Sequence, residues 1–227
     1  MEKYKSKKIA KLIIVGNTSN AKLARLYFDN DTEYEVIAFA VDRQYINDSK
    51  FENLPLVAFE NIRETYPPTE FFAFVAVGYS KMNSVRESLY IRTKEMGYRL
   101  PNYISAKCSY LTEEPMGDNN FILEDNTIQP YVKIGNNNVL WSGNQISHDV
   151  QIGDHCFITS QVVISGFTKV NNNCFLGPNS TFRDNIVIAS HTLIGAGVVI
   201  MKGTEIGDVY LPQRPVKSEK KSREITI

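Results

Sequence analysis

Three residues in this sequence are histidines, the side-chain type whose ordinary pKa lies nearest neutrality: His148, His155 and His191. A group of that kind can take a proton from a nucleophile as it attacks. His148 is followed directly by Asp149, whose carboxylate favours the imidazolium electrostatically. Contact with the ring depends on the local backbone geometry. No cysteine lies beside a histidine in a way that suggests a thiolate nucleophile. The three cysteines, odd in number and scattered, fit a reducing compartment better than a disulfide framework.

What positions these residues is a six-residue period. Every sixth residue from Met116 to Ile206 is apolar. Glycine follows the apolar residue at 117, 135, 153, 177, 195 and 207, where a tight corner favours a residue without a Cβ. Four residues after each apolar position comes a smaller inward one, such as Val132, Val150, Cys156, Val162, Cys174, Ser180 or Val198. Neither a 3.6-residue helix nor a period-2 sheet holds this pattern. A coil of three short strands joined by corners does, with eighteen residues per turn and successive turns ~4.8 Å apart. Residues 116 to 211 supply about five turns. Cys156 and Cys174, eighteen apart, stack in the core on this reading.

The same arithmetic places His155 and His191 on one exposed edge, two turns and therefore ~9.6 Å apart, too far to share one metal ion within a chain. No metal site is expected, and a zinc hydratase, which would need ligands from two subunits, ranks as a weak rival.

The first half reads differently. Residues 12–16, 35–42 and 71–78 are apolar, β-branched or aromatic runs of strand length. Helix-like stretches at 20–28, 60–66 and 82–96 alternate with them. That alternation predicts a small parallel α/β sheet. Ligands of such sheets sit beyond the carboxyl ends of the strands, here Gly16 to Asn20, Asp42–Arg43 and Gly78–Tyr79. Asp42 is placed to bond a ribose hydroxyl or a base. The loop GNTSNAK lacks the three-glycine dinucleotide fingerprint. Its helix start can hold a phosphate or sugar, or it is a plain turn capped by Thr18 or Ser19.

The expected organisation is an α/β N-terminal domain, a small Rossmann-like parallel sheet, over 1–105. A connector follows at 106–115, then an all-β left-handed parallel β-helix over 116–217 and a charged, solvated tail at 218–227. Among the 227 residues, 43% hydrophobic content is ample for real cores, and 25 basic residues balance 25 acidic ones. No field of one sign draws the chain toward nucleic acid or anionic lipid. The lysine-rich start lacks the apolar core of a secretory signal, and no run spans a bilayer, so a cytoplasmic protein with neither partner is expected.

With VGNTSNAK, VAVGYSKMNSVR, LWSGNQISHDVQIGDHCFI, IGAGVVI and YLPQRPVK in view, nearly the whole chain resembles the nucleotide-sugar acetyltransferases. These pair a small Rossmann-like domain with a hexapeptide β-helix. The family includes bacillosamine-type and perosamine-type N-acetyltransferases and the sialic-acid O-acetyltransferase-like proteins. The resemblance implies a homotrimer with active sites in the clefts between subunits. It implies acetyl-CoA along one β-helix edge and a nucleotide-linked amino sugar, of the 4-amino-4,6-dideoxyhexose type, held by the N-terminal domain. By motif match His148 is the general base and Asp149 its acidic neighbour. Gly166 is the glycine whose N–H meets the thioester carbonyl, and Ala196 lines the CoA groove beside Pro178.

Thr18, Ser19, Asn20, Asp42 and Arg43 match the nucleotide-sugar loops, which Gly16, Gly78 and Tyr79 complete. Three positions depart from the pattern. Phe157 stands where some members carry a second histidine at acetyl-CoA, Trp141 where several carry an asparagine near the amine, and Tyr79 is bulkier than usual. Transfer to a hydroxyl, as in sialic-acid O-acetylation, and a non-enzymatic trimeric scaffold that binds a nucleotide sugar are the alternatives.

Overall fold

The computed structural model describes residues 8–213, 217–219, 221 and 223. The rest of the expected tail, and Arg214 to Val216 within YLPQRPVK, lie outside the described residues.

The N-terminal unit is a five-stranded sheet. Strands β1 (Ala10–Val15), β2 (Tyr34–Val41), β3 (Lys50–Phe51), β4 (Leu54–Ala58) and β5 (Phe71–Val75) lie in the order β3-β4-β2-β1-β5. All neighbours are parallel except the β3–β4 hairpin. That hairpin was not anticipated, and it makes the expected parallel sheet a mixed one. Its two-residue turn is Glu52-Asn53, both at positive φ (49° and 64°), the geometry of a primed turn. The sequence lacks the Asn-Gly signal that usually marks one. Helices α1 (Ser19–Asp31), α2 (Ile62–Thr65) and α3 (Ser84–Glu95) fill the crossovers.

Period-2 alternation sorts the strand residues. Ile13, Val15, Ala38, Ala40, Ala73 and Val75 face a core shared with Phe59, Ile62, Tyr98 and Leu100. Leu12, Ile14, Phe39 and Phe74 face α1 on the other side, and that core runs on into the β-helix through Tyr103, Phe121, Val139 and Phe157.

The C-terminal unit is the left-handed parallel β-helix, with two-residue strands on three faces. The first face runs from Tyr103–Ile104 to Val209–Tyr210, the second from Ser109–Tyr110 to Val199–Ile200, and the third from Lys133–Ile134 to Val187–Ile188. Register advances by eighteen at each step, as in Val139↔Phe157 and Phe157↔Phe175, except the last, where Leu193 and Ile194 pair with Val209 and Tyr210. Ile206, expected to point inward, is exposed, and Tyr210 packs against the column in its place. The inward ladder forms one buried column that includes Cys156 and Cys174. Each fully buried aliphatic contributes ~1.5–3 kcal/mol relative to exposure.

The coil starts earlier than the sequence suggested. Tyr103 and Ile104 pair with Phe121 and Ile122, and Ser109 and Tyr110 with Thr127 and Ile128. The stretch expected to be a connector is the first turn. Ile104 and Tyr110 keep the six-residue step, but no corner glycine follows either of them.

Polar side chains lock the two units together. Arg86 on α3 is fully buried. It donates to the carbonyls of Gly78, Asn137, His155 and Cys156 and to Asn83 Oδ1. Burial lowers its pKa to about 10, which leaves it charged at neutral pH. Asn83 Nδ2 donates to Asn173 O and Cys174 O. Asn119 pairs with both backbone groups of Val75.

Candidate active site

His148 stands on the corner between the second and third faces, its side chain 52% exposed. Nδ1 lies 3.0 Å from Asp149 Oδ2. With the neutral ring donating Nδ1–H to that carboxylate, the Nε2 lone pair is left free for a proton. The backbone N–H donates to Gln129 Oε1, one turn below, at 2.9 Å. Gly166, one turn above, lies against the ring, so a Cβ built there would meet Cε1 at 2.8 Å and Nε2 at 3.0 Å. Phe167 adds an edge-on ring at 5.1 Å between centroids. The imidazole is thus bounded by a carboxylate, a bare glycine and an aromatic edge, with one nitrogen open.

His155, expected on an exposed edge, is buried at the corner between the third and first faces. Helix α3 covers it there. Asn137 Nδ2 is 2.8 Å from its Nδ1, Tyr90 packs edge-on against it, and Glu87 is 3.8 Å from Nε2. His191 shares that corner and is exposed, as anticipated. The three histidines occupy two different corners. Among the described residues no group of His, Cys, Asp or Glu could hold a metal ion.

The strand-end loops of the N-terminal unit converge as the sheet topology requires. Gly16 takes φ 132° with Ala76 O only 2.8 Å from a hypothetical Cβ, so only glycine fits where the loop turns under the neighbouring strand. Asn20 Nδ2 lies 3.0 Å from the Cβ position of Gly78, which joins the first and third loops. Thr18 precedes α1 without a side-chain capping bond, and Ser19 opens the helix. Asp42, Arg43, Gln44, Glu60 and Arg92 line an open cleft. Arg92 donates both its terminal nitrogens to Asp42 at 2.6 and 3.2 Å. It also lies over the Phe59 ring. Arg92 is a site residue the sequence did not reveal, since fifty positions separate it from its partner. The Arg43 N–H faces the Glu60 carboxylate.

Tyr79 lies over Phe157 and Phe175 on the first face, with ring centroids at 5.0 and 4.8 Å. Phe157, expected at the acyl donor, lies under the N-terminal unit in the single chain. Phe157 is 2% exposed, buried by Tyr79, Phe175 and the Arg86 guanidinium. Pro178 and Ala196 are exposed one turn apart on the corner between the first and second faces. Trp141, lower on the same corner, is partly packed against the α1 side of the core.

The N-terminal unit covers the first face, and His148 is on the corner opposite that face. Within one chain Gly16, Asp42 and Tyr79 do not reach it.

Fold and site together define a left-handed parallel β-helix joined to a Rossmann-like α/β unit. Its coils match the family model described as bacterial transferase hexapeptide (six repeats) over residues 131–166 and 167–202. The chain is similar in structure to the acetyltransferase domain of PglB from Neisseria gonorrhoeae FA1090, with a TM-score of 0.80 at 19% identity over 92% of this chain and all (100%) of that one. It is similar to PerB from Caulobacter crescentus, solved in complex with CoA and GDP-perosamine, with a TM-score of 0.75 at 19% identity over 91% and 96%. WeeI from Acinetobacter baumannii AYE gives a TM-score of 0.64 at 16% identity over 90% and 97%. A comparison with curated proteins finds no match. At these identities the likeness establishes the fold. No helix among the described residues is long and apolar enough to cross a membrane.

Proposed function

We propose that this protein is an acetyl-CoA-dependent N-acetyltransferase acting on a nucleotide-linked amino sugar of the 4-amino-4,6-dideoxyhexose type. The observation that carries the reading is His148, ordered through Nδ1 by Asp149 and left open at Nε2 beside Gly166. The solved relatives support it, one being an acetyltransferase domain in complex with acetyl coenzyme A and another a complex with CoA and GDP-perosamine.

In this reading the sugar amine attacks the thioester carbonyl, forming the N–C bond, and His148 Nε2 takes the amine proton. The tetrahedral intermediate collapses with cleavage of the C–S bond, and the imidazolium returns the proton to the departing thiolate. Gly166 N–H is assigned to the oxyanion, a donor type worth ~3 kcal/mol in well-studied cases. No covalent enzyme intermediate is needed.

The working form is a homotrimer. The outward residues of the second face, Ser109, Thr127, Gln145, Val163, Thr181 and Val199, carry no charge. The third face presents Lys133 and Lys169 to solvent. An uncharged face beside His148 suits contact with a second copy, and such a contact brings another chain's N-terminal unit toward His148. The Asp42 cleft and the Gly16 and Gly78 loops then hold the nucleotide sugar, with Tyr79 and Trp141 facing it. The Pro178–Ala196 corner takes the CoA.

The test is thiol release from acetyl-CoA with a panel of UDP-, dTDP- and GDP-linked amino sugars, wild type beside His148→Ala. Turnover of one sugar that drops ~100-fold or more in the variant is expected. Absence of turnover across the panel together with absence of acetyl-CoA binding would overturn the reading.

A further inference from the structure

Every sixth residue from Asn119 to Gly197 occupies the corner position at which the backbone takes positive φ. These places are filled by Asn, Asp, Gly, His or Gln, with two exceptions, Tyr131 (φ 66°) and Phe167 (φ 60°). A bulky aromatic residue is a poor occupant of that region, where asparagine and glycine sit at lower cost. Burial does not offset that cost, since Tyr131 is 64% and Phe167 54% exposed. Both stand on the corner that carries His148, one turn below and one turn above Asp149. The coil spacing puts their backbones ~9.6 Å apart. Strained residues that the fold does not need concentrate where ligands are handled.

We infer that Tyr131 and Phe167 are specificity-determining residues that bracket the acceptor beside His148, stacking against the C–H face of its pyranose ring. The inference rests on the proposed sugar-acetyltransferase reading. Aromatic faces take up apolar ring surface and penalise a hydroxyl turned into them, which would lose its hydrogen bonds to water. Phe167, already edge-on to the imidazole, also limits how a bound amine approaches Nε2. The occupant is therefore a saturated sugar ring, with polar contact left to the open side of the corner.

The test uses the full-length protein and Phe167→Ala, Tyr131→Ala and Phe167→Leu. For whichever panel sugar the wild type acetylates, the two alanine variants should raise the acceptor KM about tenfold. The KM for acetyl-CoA and the sedimentation coefficient should not change, and Phe167→Leu should recover part of the loss. Unchanged acceptor KM, or dissociation of the assembly without a KM change, overturns the bracket and makes the rings contacts between copies.

The bracket is also read without turnover, by saturation-transfer NMR with the methyl glycoside of a 4-amino-4,6-dideoxyhexose. Transfer to its ring protons in wild type that disappears in Phe167→Ala supports the inference. No transfer in wild type, or transfer that Phe167→Ala leaves intact, overturns it. Absence of turnover by wild type counts against the acetyltransferase reading alone.

Discussion

The imidazole of His148 occupies the space that a side chain at Gly166 would need, eighteen residues and one turn further along. A Cβ there would come within 2.8 Å of Cε1 and 3.0 Å of Nε2. Those atoms belong to the ring proposed to receive the proton, so in that proposal the glycine acts through the histidine's position.

Gly166→Ala is therefore expected to separate activity from stability. Gly166 is not among the residues at positive φ, so alanine meets no backbone penalty there and must instead push the ring aside. Misplacing a catalytic group by about 1 Å can cost ~100-fold. Thiol release should fall by that order while the melting temperature moves by no more than a few degrees. A variant with wild-type kcat would show that the ring is not held where it must act.

Arg86→Met tests the lock between the two units. The substitution keeps much of the volume but strips hydrogen bonds from the carbonyls of Gly78, Asn137, His155 and Cys156, of which Cys156 O keeps the Val139 N–H and Gly78 is only half-buried. Charged hydrogen bonds are worth ~1.5–3 kcal/mol each, and orphaned buried acceptors add to the loss. A fall in apparent melting temperature of roughly 10 °C is expected by differential scanning fluorimetry. A shift under 2 °C would mean the two units hold together without the guanidinium.

His155 gives the protein a pH dependence unconnected with catalysis. Burial under α3 is the main cause holding its pKa below the usual 6.5, with Glu87 and Asp154 opposing and Arg86 assisting. Below pH 6.5 the unfolded chain binds a proton that the folded chain refuses. Stability is thus full above 6.5 and declines as pH falls from there toward the lowered folded value. His155→Asn should flatten that decline, because asparagine already fills this corner at 119, 137 and 173. Melting temperatures between pH 7.5 and 5.5 decide it, and parallel profiles for the two proteins would sink the assignment.

A repeat in which each turn dictates the next is legible from local pattern. The inward positions from Ile122 to Ile200, the stacking of Cys156 on Cys174, and the shared corner of His155 and His191 follow from counting in sixes and eighteens. The last position of the count, Ile206, is instead exposed, because the closing strand comes sixteen residues after its partner. Elements that depend on a pairing partner were harder to see. The β3–β4 hairpin has strands too short to show a period and a Glu52-Asn53 turn with no glycine. The opening turn at Tyr103 keeps the step but lacks the corner glycines. The Asp42–Arg92 pair joins residues whose separation carries no signal of contact.

The sequence by itself determined the β-helix, the α/β unit before it and the neighbouring His148 and Asp149, because each rests on short-range spacing that the backbone must obey. Tertiary structure alone decided what covers each corner. The six-residue count puts both His148 and His155 on corners, two residues after Ile146 and three after Ile152. Yet Arg86, Asn83 and Asn119 dock the N-terminal unit over one corner and leave the other open. That choice is made by contacts between residues far apart in the chain, and it separates the exposed imidazole that can take a proton from the buried one that helps hold the two units together.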